Sequence, residues 1–216
     1  DTAIRTRSFL GSDTSVAISK SARQISGNSL LLGKYWQSSS TLFNSFISKK
    51  DPWGNVLWTK SVVHTSQDSS LIFSQVLELT DGTIIAFGTI QSKQSPFHLS
   101  QSPVLLCLDQ NGAIINSWRI DLRESNMING FFQSFLCQID AGTIALLINY
   151  SADNITSASL ILKFNIFSGS PSWADKFYKN YFYYTNGMIA TDSELVIVNN
   201  FSNHLGPSQD KQGVNL

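Results

Sequence analysis

Apolar residues along this chain gather in short runs that are separated by turns rich in glycine, serine and asparagine. Three of these runs align with one another: GNSLLLGKY from Gly27, GTIIAFGTI from Gly82 and GTIALLINY from Gly142. A fourth, weaker copy, SELVIVNNF, begins at Ser193. The copies are about 50 to 60 residues apart, a spacing that is typical of repeat architectures. The pattern therefore predicts a chain built of repeated units.

A second signature follows each of the first three runs. In SFISKKDPWGNVLWTKSV, PVLLCLDQNGAIINSWRI and LILKFNIFSGSPSWADKF, a turn with glycine precedes a tryptophan. The turn glycines are Gly54, Gly112 and Gly169, and the tryptophans are Trp58, Trp118 and Trp173. Successive strand residues point to opposite faces, so the even spacing from glycine to tryptophan keeps each indole on one face. We expect the three indoles to fill equivalent places in the core of successive units.

Two of these turns begin with an aspartate, Asp51 or Asp109, three residues before the glycine. A carboxylate at that position can accept backbone N–H groups and tighten a hairpin. A calcium loop is the alternative, but one carboxylate per turn is too few for it.

Each unit contains four candidate strands, which we name a, b, c and d in chain order. Strand a precedes the glycine run in SVAISKSARQI, SLIFSQVLELT, NGFFQSFLCQI and YFYYTNGMIAT. The b strands are almost continuously apolar, which indicates burial on both faces, as in sheets that stack. No long helical periodicity is present. The predicted fold is all-β, a β-propeller of four-stranded antiparallel blades, with a sandwich or a β-solenoid as alternatives.

These residues resemble the secreted bacterial-type β-propeller repeats, whose blades carry a DGG-type turn, an apolar b strand and a K-L-D-x-x-G-x-x-x-W hairpin. The match covers nearly the whole chain and is best at residues 68–121, in LTDGTIIAFGTI and LLCLDQNGAIINSW. Trp118 comes two residues later than in the family pattern. The third unit departs further, with Asn165 in place of the aspartate, one inserted residue before Gly169, and Ile148 where Gly33 and Gly88 stand in the other copies.

The repeat predicts one propeller region over residues 1–216, as part of a larger chain. It holds about three full blades and parts of a fourth. The predicted blades span approximately 13–63, 68–122, 127–179 and, incompletely, 181–216. Residues 2–11 are predicted to be an orphan d strand. One construction lets this strand complete the last blade and close a four-bladed ring; the favoured one makes the chain a piece of a larger propeller.

Composition and charge exclude several classes of partner. Only 14% of the residues are charged, so we expect the surface polarity to come mainly from Ser, Thr, Asn and Gln. The formal net charge is zero, with 15 residues of each sign, which removes the electrostatic footprint of a nucleic-acid binder. No apolar run approaches the roughly 20 residues that span a bilayer. Because the N-terminus also lacks signal-peptide features, we expect a soluble chain from which any signal has been removed.

Three asparagines lie in N-x-S/T contexts, the acceptor pattern for N-linked glycans: Asn149, Asn154 and Asn200. All three belong to predicted b–c connections, which share one rim of a propeller. Uncharged loop asparagines without glycans are the alternative. The grouping favours a secreted, glycosylated protein. Cys107 and Cys137 are too few for a disulfide framework and are expected to be buried thiols rather than a bond between blades.

No catalytic, metal-binding or cofactor-binding constellation is predicted. His64, His98 and His204 share no carboxylate or cysteine spacing, and the acids Glu78 and Glu124 lie in unrelated contexts. The sequence therefore predicts neither an enzyme nor a cofactor.

An aromatic cluster around Tyr181, Tyr183 and Tyr184 is a candidate interaction site, because aromatics on alternating strand faces cannot all be buried. Packing within the next blade is the alternative. Two functions follow: an extracellular structural or protein-interaction propeller, able to self-associate into a larger assembly, or a carbohydrate-binding propeller. An accessory domain of a secreted enzyme is the third.

Overall fold

In a computed structural model of the chain, β-strands account for all the regular structure that is described. The described backbone covers residues 4–8, 14–23, 27–37, 43–64, 69–95, 98–120, 131–151, 157–179, 183–191, 194–204 and 210–215; side chains are described for 27–35, 43–64, 69–91, 102–120, 133–150, 158–175, 187–191 and 194–198. Within these ranges there are sixteen strands in four antiparallel sheets and no helix, so no described helix could cross a membrane. The predicted all-β class is confirmed.

The four sheets follow one another along the chain. The first has the order β1-β5-β4-β3-β2, with β1 Ile4–Ser8, β2 Thr14–Arg23, β3 Ser29–Gln37, β4 Asn44–Lys50 and β5 Val56–His64. The second is β6 Ser69–Glu78, β7 Ile84–Ser95, β8 His98–Leu108 and β9 Ile114–Arg119. The third is β10 Phe131–Gln138, β11 Thr143–Ser151, β12 Ser157–Asn165 and β13 Ser170–Lys179. The fourth is β14 Tyr183–Ala190, β15 Leu195–His204 and β16 Asp210–Asn215.

The internal repeat corresponds to equivalent strands. The apolar runs over residues 27–36, 82–90 and 142–150 form β3, β7 and β11, and each is the b strand of its sheet. Each lies between a and c partners. Consecutive residues are buried at 84–87 of β7 and 144–148 of β11, so both faces of these strands are covered, which explains their continuous apolar sequence. The predicted equivalence of these three segments is confirmed.

The N-terminal strand has a different place from the one predicted. Strand β1 pairs with β5 from Ile4↔His64 to Ser8↔Lys60 and is the fifth strand of the first sheet. It is therefore neither the d strand of a separate blade nor the strand that completes the C-terminal sheet. The third strand of that sheet, β16, pairs with β15. Residues 2–3 and 9–11, which the prediction included in the strand, lie outside the described residues.

The chain divides into two compact units, residues 1–122 and 123–216. In the first unit, β6 of the second sheet lies against β2, β3, β4 and β5 of the first. The apolar side chains of this contact form one core: Leu30, Leu32, Ile47, Val62, Leu71, Phe73, Val76, Ile84, Ala86, Ile90, Val104, Leu106 and Leu108. Face-to-face packing of consecutive sheets thus removes both apolar surfaces from water.

The second unit repeats this arrangement. Strand β14 of the fourth sheet lies against β10 and β11 of the third. The third sheet is buried along its b strand from Ile144 to Ile148, and along most of β12. In both units, therefore, strand a of one sheet packs against the preceding sheet.

Candidate interaction surface on the c–d hairpins

The c–d hairpins are β4–β5, β8–β9 and β12–β13 together with the turns that join them. The first two turns, at residues 51–55 and 109–113, have the same hydrogen bonds. Asp51 Oδ1 accepts from the backbone N–H groups of Trp53 at 3.0 Å and Asn55 at 2.8 Å. Asp109 Oδ1 accepts from Asn111 and Ala113 at 2.8 Å each. The predicted capping role of both carboxylates is confirmed.

Glycine closes each of these turns in a left-handed conformation, with φ of 92° at Gly54 and 79° at Gly112. Only glycine adopts such a φ without a steric cost from Cβ. The N–H groups of the two glycines donate to the Asp51 and Asp109 carbonyls, at 3.0 Å in both turns. The 51–55 and 109–113 turns are therefore two copies of one structure.

The third turn uses other atoms for the same purpose. Asn165 Oδ1 accepts from the backbone N–H of Phe167 and of Ser168, both at 2.9 Å, so asparagine substitutes for the aspartate. Gly169 again has a positive φ, 67°. The inserted residue lengthens this turn and places the Phe167 ring over Gly142, where a Cβ would lie only 2.3 Å from Phe167 Cε2.

Hydrogen bonding lowers the pKa of Asp51, chiefly through the Asn55 side chain, whose Nδ2 donates to Oδ2 at 2.8 Å. The Gly142 N–H, 2.9 Å from Oδ1, is the main cause of the lowered pKa of Asp140 in the third a–b turn. These carboxylates are occupied by their own turns. Among the described residues, no group of three His, Cys, Asp or Glu side chains is placed to hold a metal ion.

Trp58 connects the first sheet to the second. Its indole packs against the core of the first unit, and its Nε1–H donates to the Gln110 carbonyl at 2.9 Å. The same ring lies against Gly112, where a Cβ would be 3.1 Å from Trp58 Cε3 and 2.9 Å from Lys60 Cγ. The 109–113 turn of the second sheet therefore rests on a tryptophan of the first.

The other two predicted core tryptophans have different surroundings. Trp118 is partly buried and pairs with Leu105, whereas Trp58 and Trp173 pair with lysines two residues before the turn, Lys49 and Lys163. The two-residue delay of Trp118 in the sequence thus moves it along its strand. Trp173 keeps the register of Trp58 but leaves 44% of its surface exposed. Its predicted place in the core is wrong, because this exposure is far above that of the buried core residues.

Buried polar groups also join the first two sheets. Lys49 Nζ lies 2.6 Å from Glu78 Oε1, and both side chains are buried. The Ser45 hydroxyl accepts from the Phe73 N–H at 2.8 Å, and the Ser70 hydroxyl accepts from the Phe43 N–H at 3.0 Å. Glu78, one of the two acids considered in the sequence, is thus part of an ion pair between sheets.

Serine has a larger structural role than its polarity suggests. The buried serines are Ser45, Ser48, Ser61, Ser69, Ser70, Ser117 and Ser134. The hydroxyl of Ser61, for example, is hydrogen bonded to Tyr35 Oη. These seven serines are buried, in addition to the surface polarity that the sequence predicts for Ser, Thr, Asn and Gln.

Exposed apolar side chains are concentrated on the c–d hairpins. In the described part of the chain, six of the eight large exposed ones lie there: Trp53, Val56, Leu57, Ile115, Phe167 and Trp173. The other two are Phe43 and Ile189. In the second and third sheets the hairpin also ends in an edge strand, β9 or β13. In each unit, therefore, a hairpin offers apolar contact together with a strand edge, a combination that suits protein partners.

The described sequon does not have the exposure that a glycan needs. The Asn149 side chain is only 6% exposed, and its Oδ1 accepts from the Ser159 hydroxyl at 2.7 Å. Its Nδ2, the atom that would carry the sugar, is buried without a hydrogen-bond partner in the described residues. Asn154 lies outside the described residues, as does the side chain of Asn200 on β15.

Of the predicted aromatic site, Tyr181 lies outside the described residues. The backbone of Tyr183 and of Tyr184 belongs to β14 and pairs with Phe201 and Asn200, while their side chains are outside the described set. The interaction role of these tyrosines stays a prediction. The sequence analysis did not propose the exposed hairpin residues as an interaction site. The apolar residues in DPWGNVLW, at the first c–d hairpin, are the sequence signal that could have indicated it.

Neither cysteine forms a disulfide, and Cys107 is buried. Burial raises the pKa of the Cys107 thiol from 9.0 to about 11, with the nearby Asp81 charge as a second cause. Burial also raises the pKa of Cys137. His64, at the end of β5, has a lowered pKa because it is partly desolvated and lies near Arg119.

No protein-family model matches this chain, and a search of curated proteins finds no significant match either. The resemblance to secreted propeller repeats therefore rests on the motifs in the sequence.

Proposed function

We propose that the four sheets are successive blades of a β-propeller and that the protein is a non-catalytic, extracellular protein-interaction module. The repeated packing of strand a against the preceding sheet supports the propeller, because radial stacking repeats one contact between neighbours. An experimental structure tests this part. The idea fails if the four sheets do not radiate from a common axis.

The observation that carries the function is the exposed apolar surface of the c–d hairpins. Scattered apolar residues are normal on any protein, but here they recur on one structural element in three successive sheets. The first hairpin exposes Trp53, Val56 and Leu57, which are aromatic and aliphatic side chains of the kind found at the centre of protein interfaces. The zero net charge of the chain removes long-range repulsion between such surfaces.

Secretion and glycosylation remain part of the proposal through the sequons at Asn154 and Asn200. Asn149 is not proposed as a glycan site because its amide is buried. Mass spectrometry of the natural protein tests this part. We expect sugar at Asn154 or Asn200 and none at Asn149. If Asn154 and Asn200 are both unmodified, the support for a glycosylated protein is removed.

Hydroxyl-radical footprinting can test the interaction surface directly. Ile115, on a c–d hairpin, and Ile189, on β14, are both 60% exposed and form a matched pair. In the protein's natural extracellular material, we expect Ile115 to be labelled several-fold less than in the purified chain, while Ile189 changes little. Equal labelling of Ile115 in the two settings contradicts the proposed surface.

Carbohydrate binding is the second candidate, and Trp53 is the residue that favours it. Its side chain is 85% exposed, so one indole face is free to stack on a sugar ring. A glycan array with the natural protein and Trp53→Ala separates the two functions. If the natural protein binds a sugar and the variant does not, the lectin function is supported. If the natural protein binds no sugar on the array, protein interaction stays the proposed function.

A further inference from the structure

The contact between Trp58 and the 109–113 turn is a small, complete recognition site. The indole supplies a flat apolar face for Gly112 and a hydrogen-bond donor for the Gln110 carbonyl, 2.9 Å away. Gly112 lets the backbone approach, since a Cβ would lie 3.1 Å from the ring. Each partner is thus recognised by shape and by one directed hydrogen bond.

The 51–55 turn has the same structure as the 109–113 turn but no tryptophan against it. Its capping hydrogen bonds match, and Gly54 has nothing within 4 Å of the position of a Cβ. Pro52 occupies the position of Gln110 in the turn. Its carbonyl therefore corresponds to the Gln110 carbonyl, which accepts the hydrogen bond from Trp58 Nε1–H. Among the described residues, the 51–55 turn therefore has the structure that binds an indole in the first unit, but no tryptophan packs on its glycine.

Trp173 is the tryptophan whose position in its sheet matches that of Trp58. It stands opposite Lys163 just as Trp58 stands opposite Lys49, and in both sheets a β-bulge follows that lysine. The side chain is 44% exposed. Trp118 does not qualify, because it is shifted two residues along its strand, where it pairs with Leu105.

We propose that the 51–55 turn of one copy docks on Trp173 of a second copy. The docked pair reproduces the contact within the first unit: Gly54 lies against the indole, and Trp173 Nε1–H donates to the Pro52 carbonyl. The inference rests on the proposed function, because it names the partner of the hairpin surface. One copy carries both halves at different places, so the contact is heterologous and builds rings or filaments.

One residue beside the indole differs between the two contacts. Lys60, two residues after Trp58, packs its stem on the 109–113 turn, whereas Asp175 follows Trp173 at the same distance in sequence. Asp51 of the docked turn would then lie near a second carboxylate. The Asp175→Lys substitution copies the internal contact and is expected to strengthen association several-fold.

Sedimentation equilibrium of the full chain tests the proposal. We expect the apparent mass to rise above 23.9 kDa with concentration, and Trp173→Ala to weaken association by roughly tenfold or more, as truncation of a central interface tryptophan does. Trp173→Phe keeps the apolar face and loses the donor, so its effect is smaller. Ile189→Ala, at an exposed residue outside the c–d hairpins, is the control and leaves association unchanged.

The turn is tested with Gly54→Asn, which tolerates a left-handed backbone and places a side chain where the indole would stack. Gly82→Asn is the matched control, because Gly82 also has a positive φ, 86°, and a Cβ there would make only ordinary contact with Gln110, at 3.8 Å. A mixture is the sharpest test. Neither Trp173→Ala nor Gly54→Asn should assemble alone, but the mixture retains one intact pair and should form a dimer of twice the chain mass.

Three results overturn the proposal: a monomer at every concentration for both wild type and Asp175→Lys, association that Trp173→Ala leaves intact, or a mixture that stays monomeric. Circular dichroism confirms that the variants are folded. The proposed function is judged separately, since protection of Ile115 in natural material without self-association would keep the interaction module and remove only the second copy as its partner.

Discussion

Glycine at position 112 is required for two separate reasons. Its φ of 79° disfavours any residue with a Cβ, and the Trp58 ring leaves no room for one. Gly82 shares only the first reason, with a φ of 86° and its nearest neighbour atom 3.8 Å from the position of a Cβ. The two glycines therefore separate the cost of backbone conformation from the cost of packing.

We predict that Gly82→Ala lowers the free energy of unfolding by about 1 to 2 kcal/mol, the cost of a left-handed conformation for a non-glycine residue. Gly112→Ala should lower it by about 1 to 3 kcal/mol more, because the methyl group overpacks the contact with Trp58 and Lys60. Urea denaturation of both variants measures the difference. Equal losses would show that Trp58 does not press on the turn in solution.

The buried thiol of Cys107 gives a pH-dependent prediction. Its pKa is about 11 in the folded chain and near 9.0 when exposed, so the unfolded chain loses this proton first. The free energy of unfolding should therefore fall as pH rises from about 9 to 11. Cys107→Ala is the control that removes this contribution while other groups still titrate. At pH 8, an alkylating reagent should modify Cys107 only after unfolding; rapid reaction of the native thiol contradicts its burial.

Much of the residue-scale structure could be predicted because it is local. Asp51 and Asp109 cap turns within four residues, so the spacing of aspartate and glycine was sufficient. The exposure of Trp173 could not be predicted, because periodicity gives the face of a strand but not what covers that face. Burial of serines such as Ser45 was missed for a related reason: a hydroxyl is buried wherever a neighbouring sheet supplies an N–H donor.

At the scale of elements, the b strands differ in where their a partners bulge. The shift lies opposite Gly33 in the first sheet, Gly88 in the second and the aligned Asn199 in the fourth. In the third sheet it lies opposite Asn149 and Tyr150, while Ile148 pairs regularly with Ser134. The departure of Ile148 from glycine is thus explained, because no bulge presses on that position.

Substitutions at two strand glycines test this account. A Cβ on Gly88 would lie 2.3 Å from the Ile72 carbonyl oxygen, whereas Gly187 has nothing within 4 Å. We predict that Gly88→Ala lowers the free energy of unfolding by about 3 kcal/mol or more, since backbone must move. Gly187→Ala should leave it unchanged or raise it by about 0.5 kcal/mol. Thermal unfolding measured by circular dichroism distinguishes them, and a mild effect at Gly88 would argue against the close approach of β6 and β7.

At the scale of the whole molecule, the repeat in the sequence predicted the number and order of the strands in the second and third sheets. It did so because each sheet is formed by neighbours in sequence, which pair through short hairpins. The pairing of β1 with β5 joins distant segments and carries no sequence signal.

The ion pair of Lys49 with Glu78 joins the first two sheets, and its replacement is the last prediction. Removing one partner leaves an uncompensated buried charge, so Lys49→Met and Glu78→Leu should each cost about 3 to 5 kcal/mol of unfolding free energy. The double variant replaces both charges with apolar side chains and should be more stable than either single variant.

Hydrogen exchange shows where each loss acts. In the single variants, we expect amides of β3, β4, β6 and β7 to lose protection, because the pair holds these sheets together, while β11 and β12 of the second unit change little. Ala145→Gly in β11 is the reciprocal control, because it should lower protection in the second unit and leave the first unit unchanged. If the double variant is no more stable than the single ones, or if protection is lost equally in both units, the pair does not act as a local connection between the first two sheets.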